Sequence, residues 1–96
     1  ETQTYQVLSV GILENNLDTK LSAFPNPSSG FMTIDFSTYQ KDIDLEIVNI
    51  LGQKMIHKSY QSAQSILLDL DLKPGNYFLK LRNKVNKTAT LQLTIK

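Results

Sequence analysis

From residue 21 onward, apolar and polar side chains alternate in short runs. Met32, Ile34 and Phe36 flank Thr33 and Asp35, and Ile43, Leu45 and Ile47 flank Asp44 and Glu46. A period of two belongs to a strand with one buried face. The alternation returns in Ile66, Leu68 and Leu70, in Tyr77, Leu79 and Leu81, and in Ala89, Leu91, Leu93 and Ile95, with a weaker run from Lys54 to Tyr60. No stretch carries a helical period. With Leu21 to Phe24 added, about seven strands are expected. One sheet this small would leave an apolar side in water, so two antiparallel sheets packed face to face, a β-sandwich, are the expected all-β architecture.

Between these runs stand residues with defined turn chemistry. In Phe24-Pro25-Asn26-Pro27 each proline fixes its own φ and pushes the preceding residue towards extended geometry, which predicts a stiff corner continued by Ser28-Ser29-Gly30. Asn49-Ile50-Leu51-Gly52 has Asn first and Gly fourth, the residues of a type I turn whose glycine takes positive φ and opens a hairpin into Gln53 and Lys54. Lys73-Pro74-Gly75-Asn76 fits a type II turn, with Gly75 supplying positive φ, and it launches the strand from Tyr77 to Leu81. Tyr77 is expected on the inner face with its hydroxyl reaching a partner at the rim.

Residues 1 to 20 differ. Glu14-Asn15-Asn16-Leu17-Asp18-Thr19-Lys20 is polar and without period, and reads as a linker. Tyr5 to Val10 reads as the last strand of a preceding domain or as a tether. Exposed polar segments of this type are where proteases cut. The first residues have neither the basic start nor the apolar centre of a signal peptide, and the chain reads as the C-terminal piece of a longer protein. No apolar run is long enough to cross a membrane as a helix.

Composition narrows the chemistry. At 96 residues the chain is one domain, and a domain near this size buries only roughly 60% or a little more of its unfolded surface, too little to build a deep catalytic cleft. Without cysteine, and with His57 as the single histidine, neither a Cys/His nucleophile nor a structural zinc site can assemble. Asp42, Asp44 and Glu46 lack the loop glycine that wraps a calcium ion, and Asp69 and Asp71 read as surface carboxylates. There is no glycine-rich phosphate loop, and the aromatic residues are dispersed instead of forming a platform for bases. No cofactor, metal, nucleic acid or enzymatic role is expected. Asn86-Lys87-Thr88 matches a glycosylation acceptor in form only. The net charge of +1 is too small to drive binding over a whole surface. The charges are nonetheless segregated: beyond Asp71 come Lys73, Lys80, Arg82, Lys84, Lys87 and Lys96 with no acid. Such a basic run forms either a solvated strand face or a contact surface for an acidic partner.

The conjunction of Phe24-Pro25-Asn26-Pro27, Glu46-Ile47-Val48-Asn49-Ile50-Leu51-Gly52-Gln53-Lys54, Leu72-Lys73-Pro74-Gly75-Asn76-Tyr77-Phe78-Leu79-Lys80-Leu81 and a last alternating strand ending at Lys96 resembles the type A C-terminal sorting domain of the type IX secretion system of Bacteroidota. Each motif alone is common, and their order over Leu21 to Lys96 carries the resemblance. Asn49 departs from it, because the family usually has Asp there, and the stretch Thr88 to Ile95 has fewer basic residues than many members.

The resemblance implies an immunoglobulin-like sandwich that directs an attached N-terminal passenger across the outer membrane and is then removed, with any cleavage between Val10 and Leu21. The implied partners are components of the type IX translocon and a sortase-like peptidase, and the passenger ends at the cell surface or outside. The expected recognition set is Pro25, Asn26, Pro27, Asn49, Gly52, Gln53, Lys54, Pro74, Gly75, Tyr77, Lys80 and Lys96. The alternative is a spacer or glycan-binding immunoglobulin-like module of a secreted multidomain protein.

Overall fold

Residues 8–17, 20–26, 31–69 and 72–95 are described by a computed structural model. Six strands follow in order: β1 (Leu8–Asn15), β2 (Leu21–Asn26), β3 (Phe31–Asn49), β4 (Lys54–Asp69), β5 (Gly75–Arg82) and β6 (Thr88–Ile95). All pairings are antiparallel.

The 19 residues of β3 explain both the layers and the strand number. Its first part, 31–36, lies between β2 and the end of β4, with Ala23, Ile34 and Ile66 in one cross-strand row. Its second part, 43–49, lies between the start of β4 and β5, with Ile56, Ile47 and Leu79 in another row. β5 continues to β6, and β6 to β1. One hydrogen-bonded sheet thus folds over at the middle of the β3–β4 hairpin, giving a three-stranded layer and a five-stranded one.

The fold-over sits where the ladder slips, between Asp35 and Gln40 of β3, and Asp42 next to it has φ of +53°. Extra residues on one strand bend it and raise its twist, and an aspartate tolerates the left-handed region better than most residues. Ser37 to Asp42 are polar apart from Tyr39, so the sequence pattern breaks there although the hydrogen-bonded strand does not. The two alternating runs in 32–47 are therefore one bent strand, as are the runs in 54–69, and β1 is additional.

One core lies between the layers. Met32, Ile34 and Phe36 from the first half of β3 meet Ile43, Leu45, Ile47, Leu79, Leu81, Leu91 and Leu93 in a single buried cluster. Among the described residues no polar side chain is buried. Burying a Leu or Ile contributes about 1.5–3 kcal/mol against the entropy of ordering the chain, and a one-residue slip of any strand would turn this set outwards.

Two sequence expectations are corrected here. Leu8–Asn15, which overlaps the expected tether or preceding-domain strand of Tyr5 to Val10 and the expected linker of Glu14 to Lys20, is a strand of this sandwich: it pairs with β6 from Leu8–Ile95 to Asn15–Ala89, with a bulge at Leu13. Beyond it Asn16 N–H donates to the Thr88 carbonyl, Leu17 N–H donates to Asn15 Oδ1, and the Leu17 side chain joins the core. The polar residues of 14–16 hid this because an edge strand needs few apolar positions. Phe24, Pro25 and Asn26 are likewise strand residues, opposite Thr33, Met32 and Phe31, so no corner has formed by Asn26. Among the described residues β2 pairs on one side only, which is where a sheet tolerates proline.

Candidate recognition surface

The β3–β4 turn is built by one side chain. Asn49 Oδ1 accepts from the backbone N–H of Leu51 and of Gln53, each at 2.9 Å, while its Nδ2 donates to Gln53 Oε1 at 2.8 Å. Gly52 N–H donates to the Asn49 carbonyl, Asn49 N–H donates to the Gln53 carbonyl, and Gly52 has φ of +84°. The turn's hydrogen bonds use no side-chain atom of Ile50 or Leu51, which are 70% and 78% exposed at its tip.

The β5–β6 turn repeats the device. Asn83 Oδ1 accepts from Val85 N–H and Lys87 N–H, Asn86 N–H donates to the Asn83 carbonyl, and Asn86 takes the left-handed position with φ of +64°. Sequence reasoning missed it for want of a glycine. The signal was there, since Asn83-x-x-Asn86 has the spacing of Asn49-x-x-Gly52 and asparagine is the commonest substitute for glycine at positive φ.

The Pro74-Gly75 corner differs from the type II turn expected of it. Gly75 has φ of +154°, far from the type II value of about +80°, and is already paired with Ile95 as the first residue of β5. The nearest side-chain atoms to a Cβ built there would belong to the Tyr77 ring, 3.7 Å away. Tyr77 is buried on the inner face, and its hydroxyl donates to the Lys73 carbonyl at 2.7 Å. The ring and this bond pin the corner.

Register gathers these features at one end of the five-stranded layer. Asn49 pairs with Tyr77 and Tyr77 with Leu93, while Gly75 and Leu8 both pair with Ile95. Asn49, Gly52, Gln53, Lys54, Pro74, Gly75 and Tyr77 thus share this pole. Pro25 and Asn26 belong to the three-stranded layer, through Phe31 beside Asp69. Asp69 and Gly75 are six residues apart and so no more than about 22 Å from each other. Pro27 and Lys96 lie outside the described residues.

The basic segment meets its acids in space. Arg82 lies opposite Asp44 and Lys80 opposite Glu46 on the outer face of the five-stranded layer. Asp44 accepts from Ser59 Oγ at 2.7 Å and from Arg82 Nη2 at 3.3 Å, and His57 Nε2 lies 3.9 Å away. The Ser59 hydrogen bond first, and then Arg82, hold its carboxyl below the usual carboxylate range. Lys54 Nζ reaches Glu46 Oε2 at 3.3 Å. These side chains line a shallow depression of about 370 Å³. Exposed pairs of this kind contribute little to stability. Among the described residues no group of acids, histidine or cysteine is placed to hold a metal, and no helix is long and apolar enough to cross a membrane.

Comparison with known proteins supplies the name of the architecture and of the family. The crystal structure of a DUF3244 family protein from Bacteroides vulgatus, with an immunoglobulin-like β-sandwich fold, superposes with a TM-score of 0.72 at 10% identity, covering 98% of this chain and 99% of that one. At that identity the likeness is one of fold. No curated protein shows significant similarity to the chain. Residues 22–96 match the family profile described as secretion system C-terminal sorting domain. The match runs from β2 through the turn of Asn49, the corner of Gly75 and the whole of β6, so the chain belongs to the type IX secretion C-terminal sorting domain family.

Proposed function

We propose that the folded sandwich is the feature read by the type IX machinery at the periplasmic side of the outer membrane, and that it is cut from its passenger afterwards. A domain of this family marks the protein that carries it for export to the cell surface or beyond. The domain acts by being recognised and catalyses nothing. The single observation carrying this reading is the span of the family match, which runs across five of the six described strands, β2 to β6, instead of a short peptide within them.

The contact surface is the pole that holds the Asn49 turn and the Pro74-Gly75 corner. Its prominent chemistry is the apolar pair Ile50 and Leu51, which the domain leaves in water and whose side chains take no part in the turn's hydrogen bonds. Exposed apolar side chains held on a rigid turn are suited to filling a pocket on a partner at low entropic cost. Lys80 and Lys54 on the adjoining face add charge that orients the approach. Cleavage falls ahead of Leu8 or after Leu17 and before Leu21, because 8–15 are paired into β1, Asn16 is bonded to Thr88 and Leu17 is packed in the core.

The test is a periplasmic reporter fused ahead of the complete 96-residue chain, which keeps β1 intact. The reporter reaches the medium or cell surface in a type IX-competent host and stays in the periplasm of the same host without its translocon. Retention in both hosts, with an established sorting domain exported in parallel, overturns the proposal.

A further inference from the structure

We propose that the edge formed by 65–69 of β4 is a self-association surface, pairing antiparallel with the same edge of a second copy about a two-fold axis through Leu67. Among the described residues β4 pairs with β3 and with no other strand, so one side of its backbone is unpaired over its whole length. Proteins defend such edges with proline, bulges and lysine, above all lysine pointing inwards.

The other edges carry these defences. β2 has Pro25, and β1 has its bulge at Leu13. The first half of β4 has Lys54 and Lys58, and Lys58 lies opposite the wholly buried Leu45, which sets it on the inner face between Ile56 and Tyr60. A second copy pairing there about His57 would bring four lysines and two imidazoles into one short ladder.

Ser65-Ile66-Leu67-Leu68-Asp69 has no such guard. It has high β propensity, one charge and no proline, the composition that templates strand addition. Ile66 and Leu68 face the core, while Leu67 points outwards and is 63% exposed. Leu67 continues a cross-strand row with Thr33 and the half-exposed Phe24. Pairing about Leu67 sets it against its own copy and joins the two rows into one apolar stripe across six strands. Ile66 then faces Leu68 of the second copy, and the single charge, Asp69, faces the Ser65 hydroxyl. No like charges meet, and nothing in the ladder selects a foreign sequence over this one. Five residue pairs bury well below the roughly 1,200 Å² of a stable specific interface, so the dimer is a weak, concentration-dependent species.

Sedimentation equilibrium of the 96-residue chain, carried to about 1 mM where even weak pairing is populated, tests this independently of export. The wild type dimerises reversibly. Leu67→Lys, at an exposed position and with an unchanged melting temperature, weakens dimerisation about tenfold or more by opposing two lysines at the axis. In a chain with no other cysteine, Leu67→Cys yields a disulfide-linked dimer on mild oxidation and Ser22→Cys does not. A wild type monomeric throughout, a Leu67→Lys variant that dimerises like the wild type, or equal cross-linking at Ser22 overturns the proposal.

Discussion

Asn49 and Asn83 do the same work at opposite ends of β5, each satisfying two turn N–H groups with one side-chain oxygen. Truncating either to alanine removes both bonds at an exposed site, where water replaces part of the loss. The expected cost is about 1 kcal/mol each by urea denaturation, and the two losses add because the turns are roughly 20 Å apart with no shared partner. Asn49→Asp keeps both acceptor bonds and gives up only the Nδ2 bond to Gln53, so it stays within about 0.5 kcal/mol of the wild type. At Asp44 the sign of the pH effect follows from its lowered pKa. Its contribution is complete above the unfolded value of about 4 and is lost as pH falls through the lower folded value. A carboxyl NMR titration gives a midpoint below that of an ordinary aspartate, and Ser59→Ala moves it back up. A midpoint unmoved by Ser59→Ala would show that the hydrogen bond is not the cause.

At the scale of elements, β5 and β6 and the Asn49 turn were legible because alternation and an Asn-x-x-Gly spacing are local signals. Leu79, Leu81, Leu91 and Leu93 are all buried as their spacing predicts. The continuity of β3 was not legible, since the polar residues from Ser37 to Asp42 bridge two layers and are held by pairing of Gln40 and Lys41 with β4 and by bonds between Ser37 and Lys20, not by apolar burial. β1 escaped notice for a related reason, its partner being β6, seventy or more residues away in sequence. Gly75 was recognised as a glycine that matters, though its φ belongs to the start of a strand rather than to a type II turn. The basic run forms a solvated strand face, one of its two expected readings, and register sets Arg82 and Lys80 of that face opposite Asp44 and Glu46, which charge counted along the chain does not reveal. Lys58 gives an element-scale prediction. Lys58→Val adds β propensity and apolar contact beside Ile56 and Tyr60, raising stability by about 0.5–1 kcal/mol, while removing the guard on this half of β4. Thermal melts move up and light scattering at high concentration rises, and a stabilised variant with no added association would show that Lys58 guards nothing.

For the whole molecule, the proposed division of labour is between a core that makes the sandwich stable and a pole that a partner reads. Tyr77 shows the separation: expected on the inner face with its hydroxyl at the rim as well as in the recognition set, it is buried and bonded to the Lys73 carbonyl, a support for the corner that a partner would meet. Ile50 and Leu51 show the reverse, their side chains taking no part in the turn's hydrogen bonds and standing prominent at the tip. The candidate surface was thus half legible: its turn residues could be named from sequence, whereas the exposure of two apolar side chains between them needed the register of β3 against β4.

The most direct measurement is export of a reporter carrying the Ile50→Lys, Leu51→Lys double variant in a type IX-competent host, with the melting temperature of the purified 96-residue variant taken alongside. An unchanged melting temperature, with secretion reduced about tenfold or more by loss of an apolar anchor pair and the reporter accumulating in the periplasm, is the predicted result. Undiminished secretion by the folded variant would contradict the account, because the pole would then not be what the export machinery reads.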